Sequence, residues 1–307
     1  MGPEKTAQVE TGLIHHVRVI AENSLLKQTL YSLPWLLLGI TYAYLYHQGV
    51  FLESFSWSTP FALAIAFFSA RFSGMSWNRL LDAKLDAKNL RTRDRLLPAG
   101  RARDVEVASH ALLFLALFLI SAMYLPRACK LLALPVGIIL ICYSFTKRFT
   151  SLCHVTLGFI YFVLPLAAAF AFGGEFSFSL LSLAFASGLV ISGCDVLYAC
   201  QDATFDRRFH LHSIPADHGV YFAIRFAACC HAVAALAIVA ALSLLDVPGI
   251  SWIIFLGGMS LVVMKWRSIF ATGPGGQVSQ AFASLAQLFG AAALLPFIAE
   301  VVWRGLS

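Results

Sequence analysis

Residues 178–199 read FSLLSLAFASGLVISGCDVLYA, and residues 200–208 continue CQDATFDRR. The first string carries one formal charge, Asp195, close to its end. A helix needs about 20 apolar residues to cross the ~30 Å hydrocarbon layer of a bilayer. Only helices and closed barrels satisfy their backbone groups there. The string therefore predicts a membrane-spanning helix that delivers acids to one end. Asp202 and Asp206 stand four residues apart, and Asp195 lies two turns before Asp202. On a helix, four-residue steps keep side chains on nearly one face, about 6 Å apart along the axis.

The same apolar signal recurs along the chain. Its 307 residues are 59% apolar and only 12% charged, whereas soluble domains carry about 25% charged residues. That much apolar surface cannot be hidden from water in one globule, so the solvent of the fold is lipid. Apolar segments lie at roughly 30–46, 61–77, 108–125, 131–146, 155–172, 178–199, 222–245, 250–264 and 282–303. The expected fold class is all-α, a polytopic membrane protein of nine transmembrane helices, the fourth and eighth being short. Loops at 47–60, 173–177 and 246–249 contain no Lys or Arg. The segments at 78–107, 147–154, 200–221 and 265–281 are basic, with Lys147, Arg148, Arg207, Arg208, Lys265 and Arg267 among their residues. By the positive-inside rule this alternation puts the N-terminus and the charged loops in the cytoplasm, at an inner membrane. It also accounts for the net charge of +6 better than nucleic-acid binding does.

Residues 1–29 mix Leu13, Ile14, Val17, Ile20 and Leu25 with His15, His16, Arg18, Glu22 and Lys27. That pattern fits an amphipathic helix on the membrane surface, with a loose tail the equal alternative for the first ten residues. No short apolar core precedes a small-residue cleavage site, so no secretory signal peptide is evident. Residues 30–307 read as one transmembrane domain. The seven cysteines fall mostly inside apolar runs, where the residue packs as a small hydrophobe, and no disulfide framework is implied. Cys229, Cys230 and His231 sit mid-span without a second ligand pair, which argues against a metal there.

A second acidic stretch, residues 78–86 (NRLLDAKLD), follows the second apolar segment. Asn78, Asp82 and Asp86 are again spaced by four, and an amide with two carboxylates is a plausible donor set for Mg²⁺, which takes oxygen ligands. Lys84, Lys88, Arg91, Arg93, Arg95, Arg101 and Arg103 crowd in behind. Carboxylates and cations together suit a diphosphate bridged by Mg²⁺, while a solvated amphipathic helix explains this stretch equally well by itself. The second cluster decides between them. Asp82 and Asp202 are 120 residues apart, each after the second segment of its half, so segments 1–4 and 5–8 read as two four-helix pseudo-repeats plus one helix. Five of the chain's 16 acids fall in these two places, which solvation alone does not explain. Arg71, Arg225 and Glu300 are charges within spans, and such charges face a cavity or a partner. Arg71, two turns before Asn78, could counter the carboxylates or grip an anionic ligand; pairing with a backbone carbonyl is the structural alternative.

At this point the motifs carry a resemblance. Arg71-x-x-Gly74-x-x-x-Asn78-x-x-x-Asp82-x-x-x-Asp86, then Arg91-Thr92-x-x-Arg95-x-x-Pro98-x-Gly100, resembles the first signature of the UbiA superfamily of intramembrane prenyltransferases. Asp195-x-x-Tyr198-Ala199-x-Gln201-Asp202-x-x-x-Asp206, followed by Leu211-His212-Ser213, resembles the second. Tyr143 to Arg148 is similar to the family's element after helix 4, and Leu30 to Pro34 to its entry into helix 1. The resemblance implies a bundle of nine spans around a central cavity capped by the two acidic loops. It implies Mg²⁺ and diphosphate held by Asn78, Asp82, Asp86, Asp195, Asp202 and Asp206, with Asp82, Asp86, Asp202 and Asp206 central to catalysis. Arg71, Lys147 and Arg148 would contact phosphate oxygens or an anionic acceptor, and Arg91, Arg95, Tyr143 and Tyr198 would join the substrate site. The implied partners are a polyprenyl diphosphate drawn from the lipid bilayer and an electron-rich aromatic ring, with no nucleic acid. Three positions depart from the commoner pattern: Arg79 replaces an aspartate, His212 a lysine and Leu96 a proline. Arg79 with His212-Ser213 resembles the branch serving menaquinone through futalosine more than the 4-hydroxybenzoate enzymes of ubiquinone synthesis.

Ionising an allylic diphosphate leaves a delocalised cation. Mg²⁺ and basic side chains stabilise the departing charge, a dry cavity spares the cation from water, and aromatic faces attract it. Of the 26 Phe, 9 Tyr and 6 Trp, only Tyr143 and Tyr198 are placed by motif. His154, His210, His212 and His218 border the basic loops; one could take the ring proton, and a surface histidine is the simpler reading for each. A haem- or chlorophyll-prenylating member stays open, as does a transporter, which also uses internal repeats and intramembrane charges.

Overall fold

The structure is a computed structural model that describes residues 19, 29–47, 55–273 and 278–306. The surface helix expected over 1–29 lies almost wholly outside the described residues. Among the described residues the regular elements are helices, with no strand. In order they are α1 (Leu33–Tyr46), α2 (Ser58–Asp86), α3 (Asp104–Ala122), α4 (Arg127–Thr146), α5 (Cys153–Ala171) and α6 (Phe178–Ala199). A 3₁₀ turn (Cys200–Asp202) and the short helices α7 (Ala203–Arg208) and α8 (Ile214–His218) precede α9 (Val220–Leu244), α10 (Gly249–Thr272) and α11 (Val278–Leu306).

Seven of these helices are long and apolar enough to cross a membrane: α3, α4, α5, α6 with its extension to Arg208, α9, α10 and α11. The chain is an integral membrane protein. The expected count of nine is not reached by length and composition. α1 is apolar but has 14 residues, and α2 has 29 residues but ends in the charged stretch that begins near Arg79. Two boundaries also differ from expectation. α4 and α10, expected to be short, have 20 and 24 residues, and α10 carries Lys265 and Arg267 within the helix instead of in a loop.

α6 is the axis of the bundle, with 72% of its span buried, whereas α10 is only 17% buried and faces outward. α6 packs against α5, α9 and α11, while α2 packs against α3 and α4, and α1 against α5 and α11. Small residues explain how α5 and α6 approach. A Cβ built on Gly158 would collide with the Ser192 side chain and lie 2.7 Å from the Gly188 carbonyl. In lipid, helices associate through such close packing and through hydrogen bonds, because apolar burial offers no advantage over lipid tails. Ser187 Oγ donates to the Tyr161 carbonyl at 2.6 Å, and Ser32 Oγ meets Tyr161 Oη at 2.7 Å, tying α6, α5 and the entry to α1. Large outward side chains such as Leu131, Leu236, Ile253, Leu256 and Met264 are exposed, as a surface solvated by hydrocarbon requires.

Two titratable side chains buried within the bundle, Glu300 and His231, have distinct settings. Glu300 is buried and accepts from Tyr46 Oη at 2.7 Å and Arg304 Nη2 at 2.6 Å. It locks α11 to the end of α1, far along the bundle from the acidic clusters. His231, also buried, accepts from Trp266 Nε1 at Nδ1 (3.2 Å) and reaches the Val190 carbonyl through Nε2 (3.0 Å). It is a satisfied core residue, and Cys229 and Cys230 bring no metal ligand to it; all seven cysteines are free thiols.

Candidate active site

α2 runs unbroken from the apolar segment through the acidic stretch, so Asn78, Asp82 and Asp86 follow one helical face. The helix stops where the Thr92 hydroxyl turns back to donate to the Asp86 carbonyl at 3.0 Å. Asp82 is 2% exposed. Its Oδ2 accepts from Lys147 Nζ at 2.7 Å and from Asn78 Nδ2 at 3.1 Å. Asn78 Nδ2 also donates to Ser144 Oγ at 3.0 Å, joining α2 to α4. Burial pushes the Asp82 carboxyl above the usual carboxylate range, against the pull of Lys147. Asp86, also buried, accepts from Arg95 Nη1 at both oxygens, at 2.8 and 2.7 Å.

The second cluster faces the first across the cap. Arg91 clasps Asp202 with Nε, at 3.0 Å, and with Nη2, and its Nη1 donates to Tyr198 Oη at 3.1 Å. Asn89 Nδ2 donates to Asp202 Oδ1 at 2.9 Å. Residues of the first basic loop thus hold an acid of the second motif, 111 positions away. Asp206 Oδ2 accepts from Ser213 Oγ at 3.1 Å. Asp195 Oδ2 lies 2.7 Å from His154 Nδ1.

Two cavities meet here. A polar pocket of about 170 Å³ is lined by Asp82, Asp86, Arg91, Lys147, Asp202 and Asp206, with His154, His212 and Ser213 nearby. An apolar cavity of about 270 Å³ runs inward from it between α2, α3, α4, α5 and α6, past Phe67, Phe118, Leu125, Val136 and Leu164. Asn78, Arg95, Tyr143, Asp195 and Tyr198 line both. The wall between a charged chamber and a greasy one is therefore an amide, an arginine, an acid and two tyrosines. Arg71 and Arg79 line the apolar cavity alone. A model of the UbiA prenyltransferase family matches residues 36–291, which include both acidic motifs and this wall.

The chain belongs to the UbiA prenyltransferase family.

Known relatives bear on the reading to different degrees. Polyprenyl transferase trt2 of Aspergillus terreus is 32% identical over 152 residues, 48% of this chain and 44% of that protein. The 4-hydroxybenzoate octaprenyltransferase of Pseudomonas putida is 34% identical over 151 residues, 47% of this chain and 48% of that one. The matched part of the chain spans about half the length of these curated relatives. Among solved structures, an apo UbiA homolog from Aeropyrum pernix K1 is 23% identical with a TM-score of 0.73, covering 87% of this chain and 97% of the other. A UbiA homolog from Archaeoglobus fulgidus bound to DMAPP and Mg²⁺ is 16% identical with a TM-score of 0.65, covering 91% and 99%. These structures share the fold.

The UbiA-type acidic motifs offer hard oxygen donors that fit Mg²⁺. Asp82 Oδ1 is a buried carboxylate oxygen without a hydrogen-bond partner, and carboxylates line both sides of the polar pocket. Among the described residues, no three His, Cys, Asp or Glu side chains converge into a ready cage; Lys147, Arg95 and Arg91 engage the acids instead.

Most motif residues named from the sequence come together at the two cavities, but Arg148 does not. Its Nη2 donates to the Leu81 carbonyl at 2.9 Å, its guanidinium lies over the Phe145 ring, and it lines neither cavity. The nearest it comes to an acid is 3.9 Å from Asp82 Oδ1. His154 differs the other way. Read as a surface histidine, it is 3% exposed and orients Asp195. The signal was present: His154 and Gly158 are four apart, hence on the face of α5 that meets α6. The sequence assigns no role to Ser144 or Asn89, because short polar residues in a loop or helix give no sign of which partner they will reach.

Proposed function

We propose that this chain is a Mg²⁺-dependent prenyltransferase that moves a polyprenyl group from its diphosphate to an aromatic acceptor of hydroxybenzoate or dihydroxynaphthoate type, in menaquinone or ubiquinone synthesis. One observation carries the reading: an acid-and-base pocket opens through a shared wall into an apolar cavity. A prenyl diphosphate has that same division, a charged head on a hydrocarbon tail. Family membership supports the activity, and the A. fulgidus homolog bound to GPP and Mg²⁺ supports the donor and the ion. The P. putida relative supports a hydroxybenzoate acceptor; the fungal relatives, named only as polyprenyl transferases, support the donor class.

Asp82, Asp86, Asp202 and Asp206, with Asn78 and Asp195, would hold the metal. Bound there, Mg²⁺ would neutralise the diphosphate and improve it as a leaving group. Lys147, Arg91 and Arg95 exchange carboxylate oxygens for phosphate oxygens and take up charge as the allylic C–O bond breaks with its electron pair on the diphosphate. Tyr143 and Tyr198, on the shared wall, turn ring faces to the allylic cation. A ring carbon of the acceptor then bonds to that cation, and the ring proton leaves to restore aromaticity. The apolar cavity holds the tail and excludes water, which would otherwise trap the cation as an alcohol.

The topology we infer has nine spans, with α1 and α2 crossing alongside the seven longer apolar helices, as two four-helix pseudo-repeats plus α11 in one domain over 30–307. Basic loops on one side support a cytoplasmic position for the acidic cap, at an inner membrane. The test supplies membranes containing the protein with labelled geranyl diphosphate, Mg²⁺ and, in parallel, 4-hydroxybenzoate, dihydroxynaphthoates and haem. Mg²⁺-dependent label on an aromatic acid is the expected result. Label on haem alone moves the protein to another branch, and flux without product makes it a transporter.

A further inference from the structure

Arg79 stands apart from the cations of the polar pocket. It is 8% exposed and lines the apolar cavity but not the polar pocket. Lys147, Arg95 and Arg91 each hold an acid, whereas Arg79 makes no hydrogen bond or ion pair among the described residues. Asp86, whose field it feels, is already held at both oxygens by Arg95. A charge taken out of water without a partner is costly, and it persists in a fold when something else pairs it or when function needs it.

Position says what could pair it. Arg71, Met75 and Arg79 recur every four residues along α2 and all line the apolar cavity. Asn78, Asp82 and Asp86 follow the adjacent face to the polar pocket. The one-residue offset between Asn78 and Arg79 turns the side chains about 100° apart, enough to serve different chambers. The diphosphate has Lys147 and Arg91 in a pocket that Arg79 does not line. The chamber that Arg79 lines together with Arg71 is mostly apolar and is closed at this end by Asn78, Arg95, Asp195, Tyr143 and Tyr198. An anion that belongs there is one carried by an aromatic ring. A guanidinium presents a planar fork that matches a carboxylate at both oxygens.

We propose that Arg79 binds the carboxylate of the aromatic acceptor at the polar end of the apolar cavity and selects an acid over a neutral ring. This rests on the prenyl-transfer reading and deepens it by naming the acceptor's charged group and the residue that receives it.

The experiment uses the full chain in lipid nanodiscs and measures both equilibrium binding and transfer. Acceptors are 4-hydroxybenzoate, a dihydroxynaphthoate and the methyl ester of each, with geranyl diphosphate as donor. Arg79→Gln is expected to raise Kd and KM for the acids about 10- to 100-fold, the range for loss of a charge-assisted hydrogen bond. The esters and geranyl diphosphate should bind as before, and Arg79→Lys should recover part of the acid affinity. Thermal stability of Arg79→Gln should be equal to wild type or higher, since it removes a buried charge that no described residue pairs; a purely structural arginine would lower it. Undiminished discrimination of acid over ester in Arg79→Gln overturns the proposal, as does weakened geranyl diphosphate binding with acid binding intact. If wild type binds the acids through Arg79 but transfers no prenyl group to them, the carboxylate site stands and the activity reading falls.

Discussion

Asp82→Asn separates the chemical role of the first cluster from its structural one. Asparagine keeps the shape of aspartate, and its carbonyl can take the place of Oδ2, which accepts from Lys147 Nζ at 2.7 Å and Asn78 Nδ2 at 3.1 Å. The amide nitrogen then replaces Oδ1, which has no hydrogen-bond partner. The stability lost is the difference between a charge-assisted and a neutral hydrogen bond, about 1 kcal/mol. Part of that is returned, because a carboxylate 2% exposed no longer has to be kept charged away from water. Thermal unfolding should therefore shift by no more than about 2–4 °C. Turnover should fall far more, by about 10²- to 10³-fold, the effect of removing one preorganised electrostatic contact from a reacting centre. Prenyl transfer by the variant in nanodiscs, titrated with Mg²⁺, reads the second effect, and differential scanning fluorimetry the first. A variant with wild-type turnover and an unchanged Mg²⁺ midpoint refutes the assignment of Asp82. A variant that loses activity only because it melts at much lower temperature refutes the account of its stability.

Two further substitutions examine other parts of the account. Arg91→Gln releases Asp202 and Tyr198 on a partly exposed pair, so stability should change by less than about 1 kcal/mol, while KM for geranyl diphosphate rises about tenfold; steady-state kinetics against both substrates should show the acceptor KM unmoved. Gly158→Ala drives a methyl into Ser192 and to 2.7 Å from the Gly188 carbonyl, which should destabilise the α5–α6 contact by about 1–3 kcal/mol; a Tm equal to wild type would mean that the two helices do not meet as described.

How far the amino-acid order alone reveals this molecule depends on which force sets each feature. Apolar length is a one-dimensional property, so α3, α5, α6, α9 and α11 could be read within a few residues. The four-residue spacing of Asn78, Asp82 and Asp86 is also local, and it foretold a shared face. α2 was harder, because its charged end hides how long the helix is: Ser58–Asp86 is one element, not a span followed by a loop. Side-chain direction at the cap was not legible, because tertiary packing decides it. Arg148 and Lys147 are neighbours in sequence, yet one reaches the Leu81 carbonyl and the other the Asp82 carboxylate. Arg79 is marked in the sequence as a departure from the commoner aspartate, but only the cavity behind it shows that it is turned inward and makes no ion pair among the described residues.

The central claim is that both acidic clusters act on one diphosphate whose tail lies in the apolar cavity. A structure of the protein with Mn²⁺ in place of Mg²⁺ and an unreactive geranyl thiolodiphosphate tests this most directly, since anomalous scattering locates the metal without reference to activity. The account predicts metal density in the polar pocket, contacted by Asp82 or Asp86 from α2 and by Asp202 or Asp206 from the opposite side, with the geranyl chain extending past Tyr143 and Tyr198. A diphosphate bound with its metal on one cluster alone, or a geranyl chain outside the apolar cavity, contradicts it.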